Sequence, residues 1–463
     1  MTKSVGRIGL SLLFVAMVAS VSGNAIATDA QQSSAKGASH SDSSADTSNF
    51  QFATGGNFWS GQIFTNRFSG EAPTNTSELF ELWRPSPQQS FQIGSFILQP
   101  SLDIAMGGGY NSNLFAGKTN QSSDFSAQAR PDVRISSQWS RHSLEFMAGS
   151  DGIAYKEFDS ENQLNGYVGA RGTLDITRDL KVAGNIRFKS DHETRGEGET
   201  FQLFESPVKT NQLESGISVS KRFNRLSFAI GGNVIIEDYD DATLVTSSGN
   251  QVVDQDFRDG TAYTLSTRAN YVVSPLTSFF VTYNHNWRDY QAELFDSSGS
   301  SVSGGLSYEF SQLLKAEASA GILWQDSTGA TLDDINTYTY NASLLWSPTR
   351  LIDVALIGSR EVGGPSQFAG ASNRISSDVG VRANYAIWSN LRLHSALAMS
   401  KAEFEDIDRD DTLLKAQLGA YYALNNYLSL FADYTFSTYL GDTLPDVDYN
   451  RDQIAIGVSV KLY

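Results

Sequence analysis

In the stretch 262–273, "AYTLSTRANYVV", apolar and polar residues take turns. Tyr263, Leu265, Thr267, Ala269 and Tyr271 fall on one set of positions; Thr264, Ser266, Arg268 and Asn270 fall on the other. The same period of two runs through "FFVTYNHNW" (279–287), "YTYNASLLW" (338–346) and the closing "RDQIAIGVSVKLY" (451–463). Successive side chains of a strand point to opposite faces, so each segment predicts a strand with one apolar and one wet face. From about position 91 onward, segments of roughly ten residues repeat this texture and polar turns separate them.

The connections sort into two kinds. Eight are tight: "QWSRHS", "ITRDLK", "RFNRLS", "VSPLTS", "FSQLLK", "SPTRLID", "IWSNLR" and "ALNNYL". Between successive tight turns lies one longer polar or acidic connection, such as "SDHETRGEGETFQLFESP" or "KAEFEDIDRDD". Strict alternation of this kind predicts a transmembrane, antiparallel, up-and-down β-barrel with short periplasmic turns and long external loops. Counting hairpins gives about 18 strands, an even number within the bacterial range. Among the predicted strand cores are ones beginning near Val302, Asp378, Leu414 and Gln453.

Charge facing lipid at mid-bilayer is costly, so the apolar face is expected outside and the polar face inside. That makes Arg171, Arg187, Arg268, Arg288, Glu309, Asp378, Arg382 and Lys415 candidate lumen-lining residues. Their signs are mixed, which fits either a hydrated conduit or a lattice that braces the wall. Tyr263, Tyr271, Tyr283, Trp287, Tyr338, Trp346, Tyr385, Trp388, Tyr422 and Tyr427 read as aromatic girdles rather than a sugar-binding track, because they share the apolar face.

Composition agrees. The 463-residue chain is only 40% hydrophobic yet 11% aromatic, with 19 tyrosines. Polar residues on every second position hold the apolar share down. A formal net charge of −17 excludes a nucleic-acid binder, which needs a basic face. Acidic loops point instead to divalent cations and lipopolysaccharide. The chain has no cysteine.

Residues 1–27 read as a secretory signal peptide: Lys3 and Arg7, an apolar run, then Ala25 and Ala27 about Ile26. A membrane anchor is the rival, but the run is short of the ~20 residues that a span needs. Residues 28–90 are expected to be a disordered or irregular periplasmic extension and a candidate plug; residues 91–463 form the barrel. Tyr463 is the candidate C-terminal assembly signal.

No catalytic site, metal cluster or cofactor motif emerges. "AGKTN" ends like a phosphate-binding loop, but Ser112 stands where its first glycine belongs. The five histidines are dispersed. Asp406, Asp408 and Asp410, and Asp446, Asp448 and Asn450, have the alternate spacing of calcium ligands; the glycine and the final glutamate of that loop are missing.

Several motifs near the start of the barrel fit a known pattern. Gly94, Ser95, Phe96 and Pro100 match a G-S-F-x-x-x-P strand; Tyr110, Asn111 and Asn113 match an aromatic-Asp/Asn-x-N turn. Ser123, Asp124 and Phe125 match an S-D-F step, and Trp139, Ser140, Arg141 and His142 a W-S-R-H turn. Over residues 94–188 the chain resembles the beta-barrel porin type 2 family. The resemblance implies an outer-membrane barrel, often encoded with exopolysaccharide synthesis and export machinery. It also implies a role as conduit or accessory for polysaccharide export. Expected partners are outer-membrane lipid and lipopolysaccharide, the barrel-assembly machinery, secreted polysaccharide and periplasmic export proteins. The alternative is a general or substrate-selective porin for small solutes; a structural or adhesive protein ranks third. A loop folded inward as a constriction would favour the porin.

Overall fold

The computed structural model describes residues 91–118, 121–196, 204–246, 249–311, 313–329, 334–363, 374–404, 408–441 and 448–461. The expected signal peptide, the extension and Tyr463 lie outside them.

Eighteen strands form the barrel. They are β1 (Phe96–Asn111), β2 (Asp124–Ser137), β3 (His142–Tyr155), β4 (Gln163–Thr177), β5 (Leu180–His192), β6 (Lys209–Phe223), β7 (Leu226–Tyr239), β8 (Gly260–Ser274) and β9 (Thr277–Tyr290). Then come β10 (Ser297–Ser311), β11 (Leu314–Ser327), β12 (Ile335–Thr349), β13 (Ile352–Gly363), β14 (Arg374–Ala386), β15 (Leu391–Phe404), β16 (Arg409–Ala423), β17 (Leu428–Gly441) and β18 (Tyr449–Lys461). Each pairs antiparallel with its sequence neighbour, and β18 closes on β1 through Ser101↔Lys461 to Ile104↔Val458 and Tyr110↔Ile454. The closing ladder skips between Ile104 and Tyr110, where β1 also loses register with β2 between Ala105 and Gly109. The "MGGG" run of the sequence sits at this bulge. At Gly109 a Cβ would lie 2.2 Å from Ser126 Oγ, so only glycine allows the approach.

All eight predicted tight turns connect strands at one end of the barrel. Four share a local device. Thr177, Ser274, Ser311 and Thr349 each close a strand, and their hydroxyls accept the backbone N–H two residues on (Asp179, Leu276, Leu313 and Leu351). The ladder shifts register at the same places. A hydroxyl that captures a nearby N–H offers the chain an exit from the ladder, which is why short Ser/Thr turns suffice. In the β6–β7 turn Asn224 takes φ 55, the left-handed conformation that asparagine tolerates in two-residue hairpins.

At the other end the strands run further than the hydrophobic pattern predicts. β10 starts at Ser297 rather than near Val302, β14 at Arg374 rather than Asp378, β16 at Arg409 rather than Leu414, and β18 at Tyr449 rather than Gln453. The expected long loop "KAEFEDIDRDD" is mostly strand, with only 405–408 between β15 and β16. A strand of about 14 residues tilted by about 40° stands roughly 35 Å tall, against an apolar band of about 25 Å. Above that band the outer face need not be apolar, so backbone pairing continues after the alternation has stopped.

The apolar set is outside. Leu164, Ile186, Ile217, Ile230, Phe279, Val281, Ile322, Leu418 and Ile456 are all exposed. So are the girdle residues Tyr263, Tyr271, Tyr283, Trp287, Tyr338, Trp346, Tyr385, Trp388 and Tyr422; Tyr427 is half-buried in a tight turn.

Candidate functional site

The eight candidate lumen residues all alternate with that exposed set, on the opposite strand face, but they do not converge on one point. They spread over β4, β5, β8, β9, β10, β14 and β16. Across β2–β6 Arg171 and Arg187 belong to a ladder of ion pairs whose bases are open to solvent. Arg130 pairs with Asp151 at 2.9 Å, Glu145 lies between Arg134 (3.6 Å) and Arg171 (3.0 Å), and Arg187 meets Glu214 at 2.8 Å. The bases stand proud of the acids: the side chains of Arg134 and Arg187 are 48% and 34% exposed, those of Glu145 and Glu214 17% and 4%.

Further round, the pairs span more of the wall. Arg268 on β8 makes a two-pronged bond to Glu317 on β11, both at 2.9 Å, and its guanidinium lies 3.6 Å from the centre of the Phe280 ring. Arg288 on β9 donates to the carbonyls of Val362 (2.7 Å) and Gly363 (3.0 Å) at the end of β13. Glu309 pairs with Lys315 at 2.6 Å, and Asp378 accepts from Ser400. Arg382 sits in register with Ala355 and Ala396, and Lys415 with Ala398 and Ser437. On β15–β17 much of the inner face is buried. His394 and Asp433 touch at 2.5 Å across Gly419, where a Cβ would lie 2.1 and 2.2 Å from them.

The family-motif residues divide between the two ends. At the tight-turn end Gly94 takes φ 61 in the turn that leads from the short strand Phe91–Ile93 into β1. Phe96 packs edge-on to Trp139 at 5.5 Å, and Trp139 Nε1 donates to Ser95 Oγ at 3.2 Å. Arg141 donates to the Asp175 carbonyl, His142 Nδ1 accepts the Asp175 N–H, and Pro100 faces Val133 across the ladder. At the loop end Tyr110 packs on Phe125 at 5.4 Å, while Asn111, Asn113 and Asp124 are buried.

Those three residues brace a cap made of 112–118 in loop L1 (112–123), of loop L2 (156–162) and of 193–196 in loop L3 (193–208). Asn113 donates from its side chain to Gly117 O (2.8 Å) and Asn450 O (3.1 Å) and accepts from the Gly117 N–H (3.1 Å). Asp124 accepts the N–H groups of Phe125, Glu157 and Phe158 at 2.7–3.1 Å. Phe115 of L1 meets Phe158 of L2 at 5.0 Å. Arg195 of L3 holds Glu161 of L2 with two bonds, 2.7 and 2.5 Å, both side chains 2% exposed. The cap rests on the inner face of β16–β18: Ala116 packs with Tyr439 and Tyr449, and Arg451 donates to Asn113 O (3.0 Å) and Arg195 O (2.7 Å). The sequence marks Asn111, Asn113 and Asp124 only as motif members; it carries no signal for Glu161, Arg195 or Arg451, whose partners are distant in the chain.

The alternating acids of the sequence are largely engaged elsewhere. Asp410 pairs with Lys401 at 2.8 Å and Asp448 with Lys118 at 3.0 Å; the Gly441 N–H and Lys118 hold the Asp448 carboxyl below the usual range. Asp406 and Asp446 lie outside the described residues. A different trio comes together in loop L4 (240–259). Asp241, Asp254 and Asp256 bring carboxylate oxygens within 4.8 Å of one another, because the hairpin Ala242–Thr246/Gly249–Val253 folds the loop back on itself.

A family model described as "Putative beta-barrel porin 2" matches residues 84–462. The chain belongs to this family. Its place is therefore the outer membrane, and its barrel is of the porin kind. No curated protein matches it. Among solved structures it is similar to the copper transporter OprC (10% identity, 82% of each chain, TM-score 0.45). It is also similar to OccK2 (OpdF) of Pseudomonas aeruginosa in complex with glucuronate (8% identity, 79% of this chain and 98% of that one, TM-score 0.43). A third is a BenF-like porin from Pseudomonas fluorescens Pf-5 (11%, 79% and 99%, TM-score 0.41).

Proposed function

We propose that this porin is a passive diffusion channel for small polar solutes. The observation that carries the reading is the inward fold of residues 112–118 of L1 and 193–196 of L3 onto the inner face of β16–β18, secured by Arg451. Loops that occupy the mouth of a barrel narrow it, which suits small solutes and obstructs a polymer chain. The solvated ion pairs of β2–β6 add a wall of weak, repeated contacts, as conduction requires. These points favour the small-solute channel over the polysaccharide conduit that the family resemblance implies.

The test is reconstitution. Liposomes that carry the refolded protein should swell in monosaccharides faster than in trisaccharides, and a deletion strain should take up small polar solutes more slowly while its surface polysaccharide stays normal. A strain that loses surface polysaccharide but keeps solute uptake would reverse the order of the two readings.

A further inference from the structure

We infer that Arg451 is the positioning residue of the channel mouth: one guanidinium clamps L1 and L3 together against β18 and so sets the aperture. The inference rests on the channel reading, but its geometry stands independently. Arg451 is on the inner face of β18, alternating with exposed Ile454 and Ile456, and is 3% exposed. Its Nε bonds the carbonyl of Asn113 in L1 and its NH2 group the carbonyl of Arg195 in L3. These two carbonyls belong to loops that leave the barrel on opposite sides of β2–β5. A single planar fork with donors on separate edges spans them; an ammonium, with one compact donor centre, does not.

Each clamped loop is held at a second point. In L1, Asn113 bonds Asn450 O, and Lys118 reaches Asp448. In L3, Arg195 is pinned by Glu161, and Gly196 at φ 76 lies so close to Ala116 and Tyr449 that a Cβ would come within 2.4 Å of both. The face of Tyr449, 4.9 Å from the Arg451 carbon, and the ring of Tyr439 stacked on it at 5.7 Å give the guanidinium a fixed bed. The assembly is therefore a keystone arrangement: remove the fork and both loops lose the hydrogen-bonding group they share and keep only their packing on Tyr449, while the eighteen-strand ladder, which Arg451 serves only through its backbone, stays paired.

The experiment uses the full-length protein, refolded and reconstituted, with R451Q and R451K compared to the parent. Only preparations that keep heat-modifiable migration on gels are taken forward, so that both variants are read in a folded barrel. Two readouts separate the clamp from the channel. One is the rate of tryptic cleavage after Lys118 in L1, whose side chain is 47% exposed. The other is single-channel conductance in potassium chloride. R451Q is expected to speed the cleavage about tenfold and raise the conductance about twofold, and R451K to follow it, because the two-pronged geometry and not the charge is what holds the loops. Unchanged cleavage in R451Q overturns the clamp. R451K that behaves like the parent overturns the fork and leaves charge as the cause. Faster cleavage with no conductance in the parent or the variants keeps the clamp and removes the channel reading.

Discussion

The inner face of β2–β6 and that of β15–β18 start from the same sequence device, a polar residue at every second position, and end as opposite environments. In the first sector Arg134, Arg171 and Arg187 keep a quarter to a half of their surface in water. In the second, and in the cap above it, His394, Asp433, Arg409, Asp411, Arg451, Arg195 and Glu161 are almost wholly buried. A charge pair in water contributes little to stability; the same pair in a dry setting is costly to break, because its survivor is left without a partner. One sector is thus a partly hydrated wall and the other a packed support.

The contrast is broken most severely in the cap. E161Q should strand the Arg195 guanidinium and weaken the cap by about 3–5 kcal/mol. Hydrogen exchange of the L1–L3 amides, compared with amides of the strand ladder, reads this directly: uniform protection in both would show that the pair is not buried in solution. Next in size is G419V. Its side chain would enter the space where His394 meets Asp433, and overpacking of this kind costs about 1–3 kcal/mol. Urea unfolding of the refolded barrel measures it, and an unshifted midpoint would mean that the wall gives way freely there.

In the solvated sector the expectation is reversed. Neutralising Arg134, the most exposed of these bases, should cost no more than about 1 kcal/mol, because Glu145 keeps Arg171 as a partner, yet move ion selectivity toward cations, because Arg134 stands further into the water than Glu145. Reversal potentials across a salt gradient test this; a large loss of stability with unaltered selectivity would erase the difference between the sectors. The smallest effect belongs to L4. Burial raises the Asp259 carboxyl to about 6, and Asp238, Asp256 and Asp254 add to it against the bond from the Tyr239 N–H. A folded carboxyl with a raised value holds its proton more tightly than the unfolded chain does, so this contribution is present at low pH and is lost as pH rises through about 6. Protection of the L4 amides, measured against the intrinsic exchange rate at each pH, should fall between pH 5 and 7, and D259N should flatten that fall.

By itself the sequence determined the strand number, the outward face and the position of the eight tight turns. These follow from relations between near neighbours: alternation at i and i+2, and hydroxyls such as Thr177 and Ser274 that bond two residues ahead. The lumen candidates were legible as a face for the same reason, but not as a lattice. Arg268 and Glu317 are 49 residues apart, and Arg451 meets Asn113 across 338. Which polar faces are wet and which are dry was decided only when the barrel closed and L1 and L3 turned inward. Burial is a property of what lies opposite a side chain, and in a closed cylinder that is set by distant strands and loops, not by the residues beside it in the chain.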